Sequence, residues 1–126
     1  MALEIKVIKK KDYVYIVELE GLLDTETAPL LQEELNEIID EKTKAVLIDM
    51  KGVTYISSSG IGVIIGVKKK LKQKQANFAM IDLQPQIEKV FDAMKILPIV
   101  DIFDNMPEAD QYIDQIIKEE IEKQSK

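Results

Sequence analysis

Apolar and polar residues alternate at the start of the chain in the manner of β-strands. Apolar residues recur at every second position of residues 3–8, which is the period of a half-buried strand. Residues 13–19 are rich in β-branched and aromatic side chains, a composition typical of strands. The polar residues 9–12 between these runs predict a turn. We therefore expect a hairpin whose second strand ends at Gly21.

The middle of the chain alternates between helical and strand patterns. Apolar residues keep helical spacing over residues 28–39, and Asp24 or Thr25 can cap a helix that continues to about Lys42. Residues 45–50 are apolar apart from one aspartate, which is typical of a central strand covered by helices. This segment predicts a buried strand.

A further strand and two more helices follow. Helical spacing returns over residues 59–75, and residues 78–83 form another apolar run. Pro85 is expected to open a third helix that Pro98 stops. Residues 99–103 predict a short edge strand. A strand, a helix and a strand in this order are expected to form a parallel, right-handed β-α-β unit.

The end of the chain predicts an acidic amphipathic helix at about residues 107–124. Its apolar positions have helical spacing: Ala109, Ile113, Ile116, Ile117 and Ile121. Residues 104–126 carry seven acidic residues against three lysines. We expect the isoleucine stripe to pack on the sheet or on the preceding helix, and the alternative is a surface for a dimer or another partner.

Together these segments predict one α/β domain over residues 1–126, with the order β-β-α-β-α-β-α-(β)-α. A mixed sheet of four to five strands with helices packed against it accommodates this order. The length of 126 residues is ordinary for a single domain.

The composition excludes several kinds of chemistry. The chain has no histidine and no cysteine, and all 17 of its basic residues are lysines. It therefore has no Ser-His-Asp triad, no cysteine nucleophile, no thiolate zinc site and no disulfide. The net charge of −6 and the lack of arginine disfavour nucleic-acid binding. We expect no catalytic residue, no metal and no cofactor.

No segment has the pattern of a membrane span or a signal peptide. The longest apolar run, residues 60–67 with glycines counted, has eight residues, whereas a helix needs about 20 to cross a bilayer. The first ten residues alternate between apolar and charged side chains, unlike the apolar core of a signal peptide. We expect a cytoplasmic protein that does not contact a membrane.

Three consecutive serines, residues 57–59, lie between the predicted central strand and the second helix. The carboxyl ends of strands are where α/β proteins usually place function. One serine can cap the helix, but a cap does not account for three hydroxyls. Backbone N–H groups at a helix start can also hold an anion, although no lysine follows Gly60 until Lys68, so the P-loop pattern is absent.

Two glycines of the predicted second helix share one face. Gly62 and Gly66 are four positions apart, so their Cα atoms lie on the same side of the helix. Their small size permits either tight packing inside the domain or a close approach by another molecule, and the sequence leaves both open.

Two motifs resemble those of a known family. Residues 57–66, Ser-Ser-Ser-Gly-Ile-Gly-Val-Ile-Ile-Gly, follow Val-Leu-Ile-Asp at 46–49 and resemble the core of the anti-sigma factor antagonists. These are the single-domain members of the STAS (sulfate transporter and antagonist) group. Residues 21–24, Gly-Leu-Leu-Asp, resemble the turn that opens the family's first helix, and residues 87–91 are similar to its third-helix start. The resemblance covers roughly residues 3–104.

The resemblance implies a binding switch rather than an enzyme. In such systems the unphosphorylated antagonist binds an anti-sigma factor, often a serine kinase, and so frees a sigma factor for transcription. Phosphorylation of the serine two positions before the motif glycine ends that binding, and a phosphoserine phosphatase is the second implied partner. Counted back from Gly60, this serine is Ser58, while Ser57 stands where the family usually has aspartate. The implied partner-binding residues are Asp24, Ser57, Ser58, Ser59, Gly60 and Ile61.

The chemistry of such a switch is consistent with this position. A phosphate adds about −1.5 to −2 charges, and the helix dipole stabilises an anion at the start of a helix. The same charge pressed against an acidic or apolar partner surface costs binding free energy. Ser58 is therefore the expected phosphoacceptor of a monomer or weak homodimer.

Three alternatives remain at this point. The first is a non-switching scaffold of the same fold, in which the serines only cap the helix. The second is a small anion- or nucleotide-binding module that uses the helix start. The third is an enzyme that combines Asp24 or Asp49 with a serine.

Overall fold

The computed structural model describes residues 3–10, 13–95 and 101–103, together with the single residues 111, 114, 115 and 118. Its elements follow one another in this order: β1 (Leu3–Lys9), β2 (Val14–Leu23), α1 (Ala28–Ile38), β3 (Ala45–Ile56), α2 (Ser58–Gln73), β4 (Asn77–Ile81), α3 (Pro85–Ala93) and β5 (Asp101–Phe103). The predicted order of strands and helices is confirmed as far as the fifth strand.

The five strands form one mixed sheet in the order β1-β2-β3-β4-β5. β1 and β2 are antiparallel, as expected of a hairpin, and each later strand runs parallel to the one before it. Parallel neighbours need a crossover connection, and α1, α2 and α3 provide one each. The predicted fold class is therefore confirmed, including the short edge strand.

The three helices contribute to one buried cluster on a single face of the sheet. Leu31 and Leu35 of α1 are fully buried one helical turn apart, as the sequence spacing predicted. The largest buried side chains of this cluster are Phe78 of β4 and Phe91 of α3. Since this packing uses the apolar side of each helix, the opposite sides remain for solvent or for partners.

β2 and β3 are longer than predicted. The sequence indicated that β2 ends by Gly21 and β3 near residue 50, but they continue to Leu23 and Ile56. Their pairing changes register twice, and such bulges interrupt the alternation on which the prediction rested. Gly21 has a φ of 121° in this region. At Gly52 a Cβ would lie 2.8 Å from the Leu19 carbonyl oxygen, so a side chain does not fit there.

α1 is shorter than the predicted helix over residues 24–42, because a turn of the form Asp-x-x-Thr lies on each side of it. Asp24 and Thr27 form the first turn, and Asp40 and Thr43 form the second. In each turn the threonine hydroxyl donates to the carbonyl five residues earlier, at 2.8 Å in both cases. It also accepts from the aspartate N–H, at 2.9 and 3.0 Å. Both threonines are buried. Their hydrogen bonds take the place of helical backbone hydrogen bonds just before and just after α1.

Replacing Thr43 with valine is expected to lower the free energy of unfolding by about 1–3 kcal/mol, because two backbone groups lose their buried hydrogen-bond partner. Thr54→Val is the matched control, since Thr54 is exposed in β3 and makes no side-chain hydrogen bond within the described part of the chain. Urea unfolding of both variants measures the difference. Equal stability of the two variants would contradict the role assigned to this turn.

Part of the sequence prediction lies outside the described residues. This applies to most of the helix expected at 107–124, although residues 111, 114, 115 and 118 within it are helical and exposed. It also applies to Pro98 and to residues 99–100 of the predicted edge strand. Within the described ranges, no helix is long and apolar enough to cross a membrane.

Candidate functional site

β2 and β3 end side by side, and their ends bring the two sequence motifs together. Leu23 and Ile56, the last residues of these strands, are paired in register. The Ser57 N–H donates to the Leu23 carbonyl at 2.9 Å. Asp24 directly follows Leu23, so the first motif and the serine motif lie next to each other, at the carboxyl ends of parallel strands.

The three serines have three different environments. Ser57 is the N-cap of α2, and its hydroxyl accepts from the Gly60 N–H at 3.2 Å. The Ser59 hydroxyl oxygen lies 3.4 Å from that of Thr25, in the turn before α1. Ser58 is the first residue of α2 and is exposed, and among the described residues its hydroxyl has no hydrogen-bond partner. The cap therefore accounts for one serine, and the Ser58 hydroxyl is exposed and has no partner among the described residues.

The electrostatic environment of Ser58 is set by its place at the start of a 16-residue helix. The unpaired backbone N–H groups there carry the positive end of the helix dipole. The first turn of α2 has no acidic residue, and its last turn carries Lys70 and Lys72. A dianion on Ser58 therefore meets favourable backbone electrostatics and no like charge in its own helical turn.

Asp24 shapes the neighbouring turn. Its carboxylate oxygen Oδ1 accepts from the backbone N–H groups of Glu26 and Thr27, each at 3.0 Å. The Thr27 hydroxyl oxygen lies 3.2 Å from the same carboxylate oxygen. These bonds hold Thr25 at the surface opposite Ser59. Asp24 thus positions the exposed Thr25. The N-cap of α1 is Thr27, and not Asp24 or Thr25 as the sequence predicted.

Gly60 and Ile61, two of the residues expected to contact a partner, lie beneath the surface. Ile61 is only 4% exposed and belongs to the main core. Gly60 is buried, and a Cβ placed on it would lie 2.7 Å from Cγ of Leu23 and 3.0 Å from Cγ1 of Ile56. The two residues hold α2 against the strand ends, because helical periodicity turns them towards the sheet.

Gly62 and Gly66 lie on the open side of α2. Both are exposed, and within the described residues no heavy atom is within 4 Å of a Cβ placed on either. Of the two interpretations left by the sequence, tight packing inside the domain is therefore wrong. The outer face of α2 therefore has no side chain at these two positions, which follow Ser58 by about one and two helical turns.

Sequence reasoning missed an exposed apolar pair beside the serines. Leu22 and Tyr55 are 39% and 52% exposed, and they are paired in register at the ends of β2 and β3. Their strand neighbours Leu23 and Ile56 point into the core, so alternation turns this pair outward. This pair was not detected from the sequence because both strands were predicted to end earlier. We call Leu22, Thr25, Tyr55 and Ser58 the corner surface.

The carboxylates of the enzymatic alternative, Asp24 and Asp49, both accept hydrogen bonds from backbone N–H groups. Asp49 lies within β3, and its Oδ1 accepts from the Lys51 N–H at 2.9 Å. One carboxylate oxygen of Asp24 is engaged in its turn. In the described parts of the chain no group of three or more acidic residues is arranged to hold a metal ion.

Comparison with known proteins identifies the family. Residues 6–109 match the STAS domain family. The chain is 31% identical over 93 residues to the anti-sigma F factor antagonist of Paenibacillus polymyxa. The aligned region covers 73% of this chain and 80% of that protein.

Two solved structures have the same fold. The unphosphorylated form of the anti-sigma factor antagonist SpoIIAA superimposes with a TM-score of 0.78 and 16% identity, over 89% of this chain and 97% of that one. The phosphorylated form of SpoIIAA from Bacillus superimposes with a TM-score of 0.72 and 16% identity, over 87% and 99%. These superpositions confirm the expected fold. This chain belongs to the STAS domain family, and the sequence relative described above is an anti-sigma F factor antagonist.

Proposed function

We propose that this protein is an anti-sigma factor antagonist whose binding is controlled by phosphorylation of Ser58. In the unphosphorylated state it binds an anti-sigma factor and so releases a sigma factor. The anti-sigma factor is itself the serine kinase, and a phosphoserine phosphatase restores the active state. The observation that carries the proposal is the exposed Ser58 hydroxyl, which has no hydrogen-bond partner among the described residues and lies at the start of α2. The exchange takes place in the cytoplasm, between partners and a monomeric or weakly dimeric antagonist.

Ser58 is favoured over its two neighbours for geometric reasons. A kinase needs a hydroxyl that it can reach and that is not already engaged. The Ser57 hydroxyl holds the cap of α2, and its modification would break that cap. Ser59 is half-buried and faces Thr25. Ser58 alone of the three is both exposed and unengaged.

The corner surface supports a contact that a phosphate disrupts. Leu22 and Tyr55 offer apolar area that becomes buried when a partner covers it, and such burial stabilises a complex. Ser58 begins α2 just after the end of β3, so a partner that covers this end of the sheet would also enclose its phosphate. Desolvation and repulsion then oppose binding, and a penalty of about 2.7 kcal/mol weakens a complex 100-fold.

Ser57 retains the architecture that the family's aspartate would give. Serine and aspartate are about equally good N-cap residues, and the Ser57 hydroxyl makes the capping bond to the Gly60 N–H. The substitution therefore removes a charge and keeps the helix start. A phosphate on Ser58 consequently has no carboxylate as its immediate chain neighbour, which favours the phosphorylated state electrostatically.

The proposal is tested by incubating the protein with the anti-sigma factor kinase proposed as its partner, or with a cell lysate, and ATP. We expect about one phosphate per chain, located on Ser58 by mass spectrometry, and none on Ser58→Ala. Ser59→Ala is the matched control and is expected to be phosphorylated normally, because it leaves the Ser58 hydroxyl in place. Phosphate on Ser57 or Ser59 would overturn the assignment, and no phosphate at all would favour the non-switching scaffold. Saturable shifts of the amide signals of residues 58–61 on addition of nucleotide alone would favour the anion-binding alternative.

A further inference from the structure

β1 forms one edge of the sheet, and the backbone groups on its outer side have no strand partner among the described residues. The sheet order is β1-β2-β3-β4-β5, and β1 pairs with β2 on its inner side. The Lys10 N–H donates to the Val14 carbonyl at 2.7 Å. Because hydrogen-bonded residues alternate along an antiparallel pair, the N–H and C=O groups of Leu3, Ile5 and Val7 point away from β2. We call these groups the free edge.

The free edge is regular enough to accept another strand. β1 pairs with β2 from Leu3 to Lys9 without a register shift. On one of its faces Ile5 and Val7 are half-buried against the main core. On the other face Glu4 and Lys6 are exposed. A regular edge with apolar side chains is a template for pairing with a further strand.

An exposed apolar side chain of α1 lies beside this edge. Leu30 is 47% exposed, and it lines an open cleft of about 950 Å³ together with Leu3 and Ile5. Alternate side chains of a strand point to the same face of a sheet. A strand added to the free edge would therefore direct every second side chain to the face on which Ile5 lies. Such an addition reduces the exposure of these apolar side chains and thereby favours association.

The charges of β1 favour a second copy of the same strand as the added one. Glu4 lies directly opposite Glu20 of β2, and like charges in this position destabilise a strand pair. A lysine from the added strand next to Glu4 compensates this repulsion. Two copies of β1 provide it when a two-fold axis passes through Ile5 perpendicular to the sheet, because Glu4 of each chain then faces the partner's Lys6.

Charge also distinguishes this register from its neighbours. With the axis at Ile5, Leu3 of each chain pairs with the partner's Val7, and the outward groups of both strands form about six backbone hydrogen bonds. Moving the axis by one residue, to Glu4 or to Lys6, places two identical charges opposite each other. Like charges in directly opposed positions are unfavourable. The register centred on Ile5 instead places opposite charges together twice.

We propose that the free edge of β1 is a self-association surface, at which two copies of this chain pair antiparallel through residues 3–7 and join their sheets. A contact of this length is small by the standards of stable dimers, so we expect a dissociation constant of roughly 0.1 mM. The surface lies on a different strand edge from the corner surface. The proposal therefore does not depend on the function of Ser58.

Sedimentation and amide hydrogen exchange of the wild-type chain, from about 5 µM to about 1 mM, test the proposal directly. We expect mostly monomer at the lower limit and mostly dimer at the upper one. The amides of Ile5 and Val7 should exchange more slowly in the dimer, whereas those of Glu4 and Lys6, which already face β2, should change less. A monomer at the upper limit, or a dimer in which the Ile5 and Val7 amides exchange freely, would overturn the proposal. Slow exchange of these two amides at every concentration would do the same, because the edge would then be covered within one chain.

A pair of charge reversals tests the register. Lys6→Glu and Glu4→Lys each make both cross-chain pairs repulsive, and we expect each to weaken self-association at least about tenfold. An equimolar mixture of the two variants should associate about as well as the wild type, because the acidic pair of one chain then faces the basic pair of the other.

Lys69→Glu is the matched control, since it makes the same reversal at an exposed position of α2. We expect its self-association to stay within about twofold of the wild type, and circular dichroism to show that all three variants are folded. A mixture that stays monomeric, or equal weakening by Lys69→Glu and Lys6→Glu, would contradict the proposed pairing.

Discussion

Phosphorylation of Ser58 is expected to weaken binding of the cognate anti-sigma factor about 100-fold, and Ser58→Asp at least about tenfold, whereas Ser58→Ala binds like the wild type. The difference follows from charge. A phosphate brings about −1.5 to −2 charges and aspartate brings one, and in the proposed complex either charge is enclosed when a partner covers this end of the sheet. Alanine removes an unengaged hydroxyl and leaves the surface neutral.

The same modification is expected to leave the fold intact. An acidic group in the first turn of a helix stabilises it by about 0.3–1 kcal/mol. The first turn of α2 has no acidic residue that would repel it. We therefore expect the Tm of Ser58→Asp to equal or slightly exceed that of the wild type, so that lost binding cannot be attributed to unfolding.

Isothermal titration of the anti-sigma factor with each variant measures the effect. Gln73→Asp is the matched control, because it adds the same charge at an exposed position at the other end of α2, about 22 Å away along the helix. We expect its affinity to stay within about twofold of the wild type, since solvent and salt screen charges at this distance. If Gln73→Asp and Ser58→Asp weakened binding equally, net charge rather than the corner surface would be responsible.

The elements of the fold could be predicted because their signals are local. The period-two run in β1, the spacing of Leu31 and Leu35 in α1 and the proline at the start of α3 each depend on a few neighbouring residues. The order of these elements then leaves few topologies open. The placement of the serine motif after a central strand followed from the same order, and the structure has it at the end of β3.

The details of the site could not be predicted because they depend on pairing between distant segments. The bulges that extend β2 and β3 exist only in the paired sheet, so the exposed pair of Leu22 and Tyr55 was not anticipated. Membership of a motif also does not say which way a residue points. Gly60 and Ile61 belong to the serine motif, but the first turns of α2 direct them into the core.

Replacing Gly60 with alanine is expected to destabilise the protein by about 2 kcal/mol, whereas the same replacement at Gly62 is expected to stabilise it. At Gly60 the new Cβ would lie 2.7 Å from Cγ of Leu23 and 3.0 Å from the Leu23 carbonyl oxygen. Leu23 is fully buried and has no room to move aside. Overpacking this tight costs about 3 kcal/mol, the upper end of the usual range. The roughly 1 kcal/mol that alanine contributes to a helix relative to glycine leaves a net loss of about 2 kcal/mol.

Gly62 is the matched control because it lies half a turn further along the same helix and faces open space. A Cβ there has no described heavy atom within 4 Å, so only the helix propensity term remains and stability should rise by about 0.5–1 kcal/mol. Thermal unfolding of the two variants should therefore shift in opposite directions, by about −8 °C and +3 °C for a domain of this size. A Gly60→Ala variant as stable as the wild type would mean that α2 can move away from the end of β2. The position of Ser58 would then not be fixed by the strand ends, and its kinase and partner would have to recognise a mobile hydroxyl.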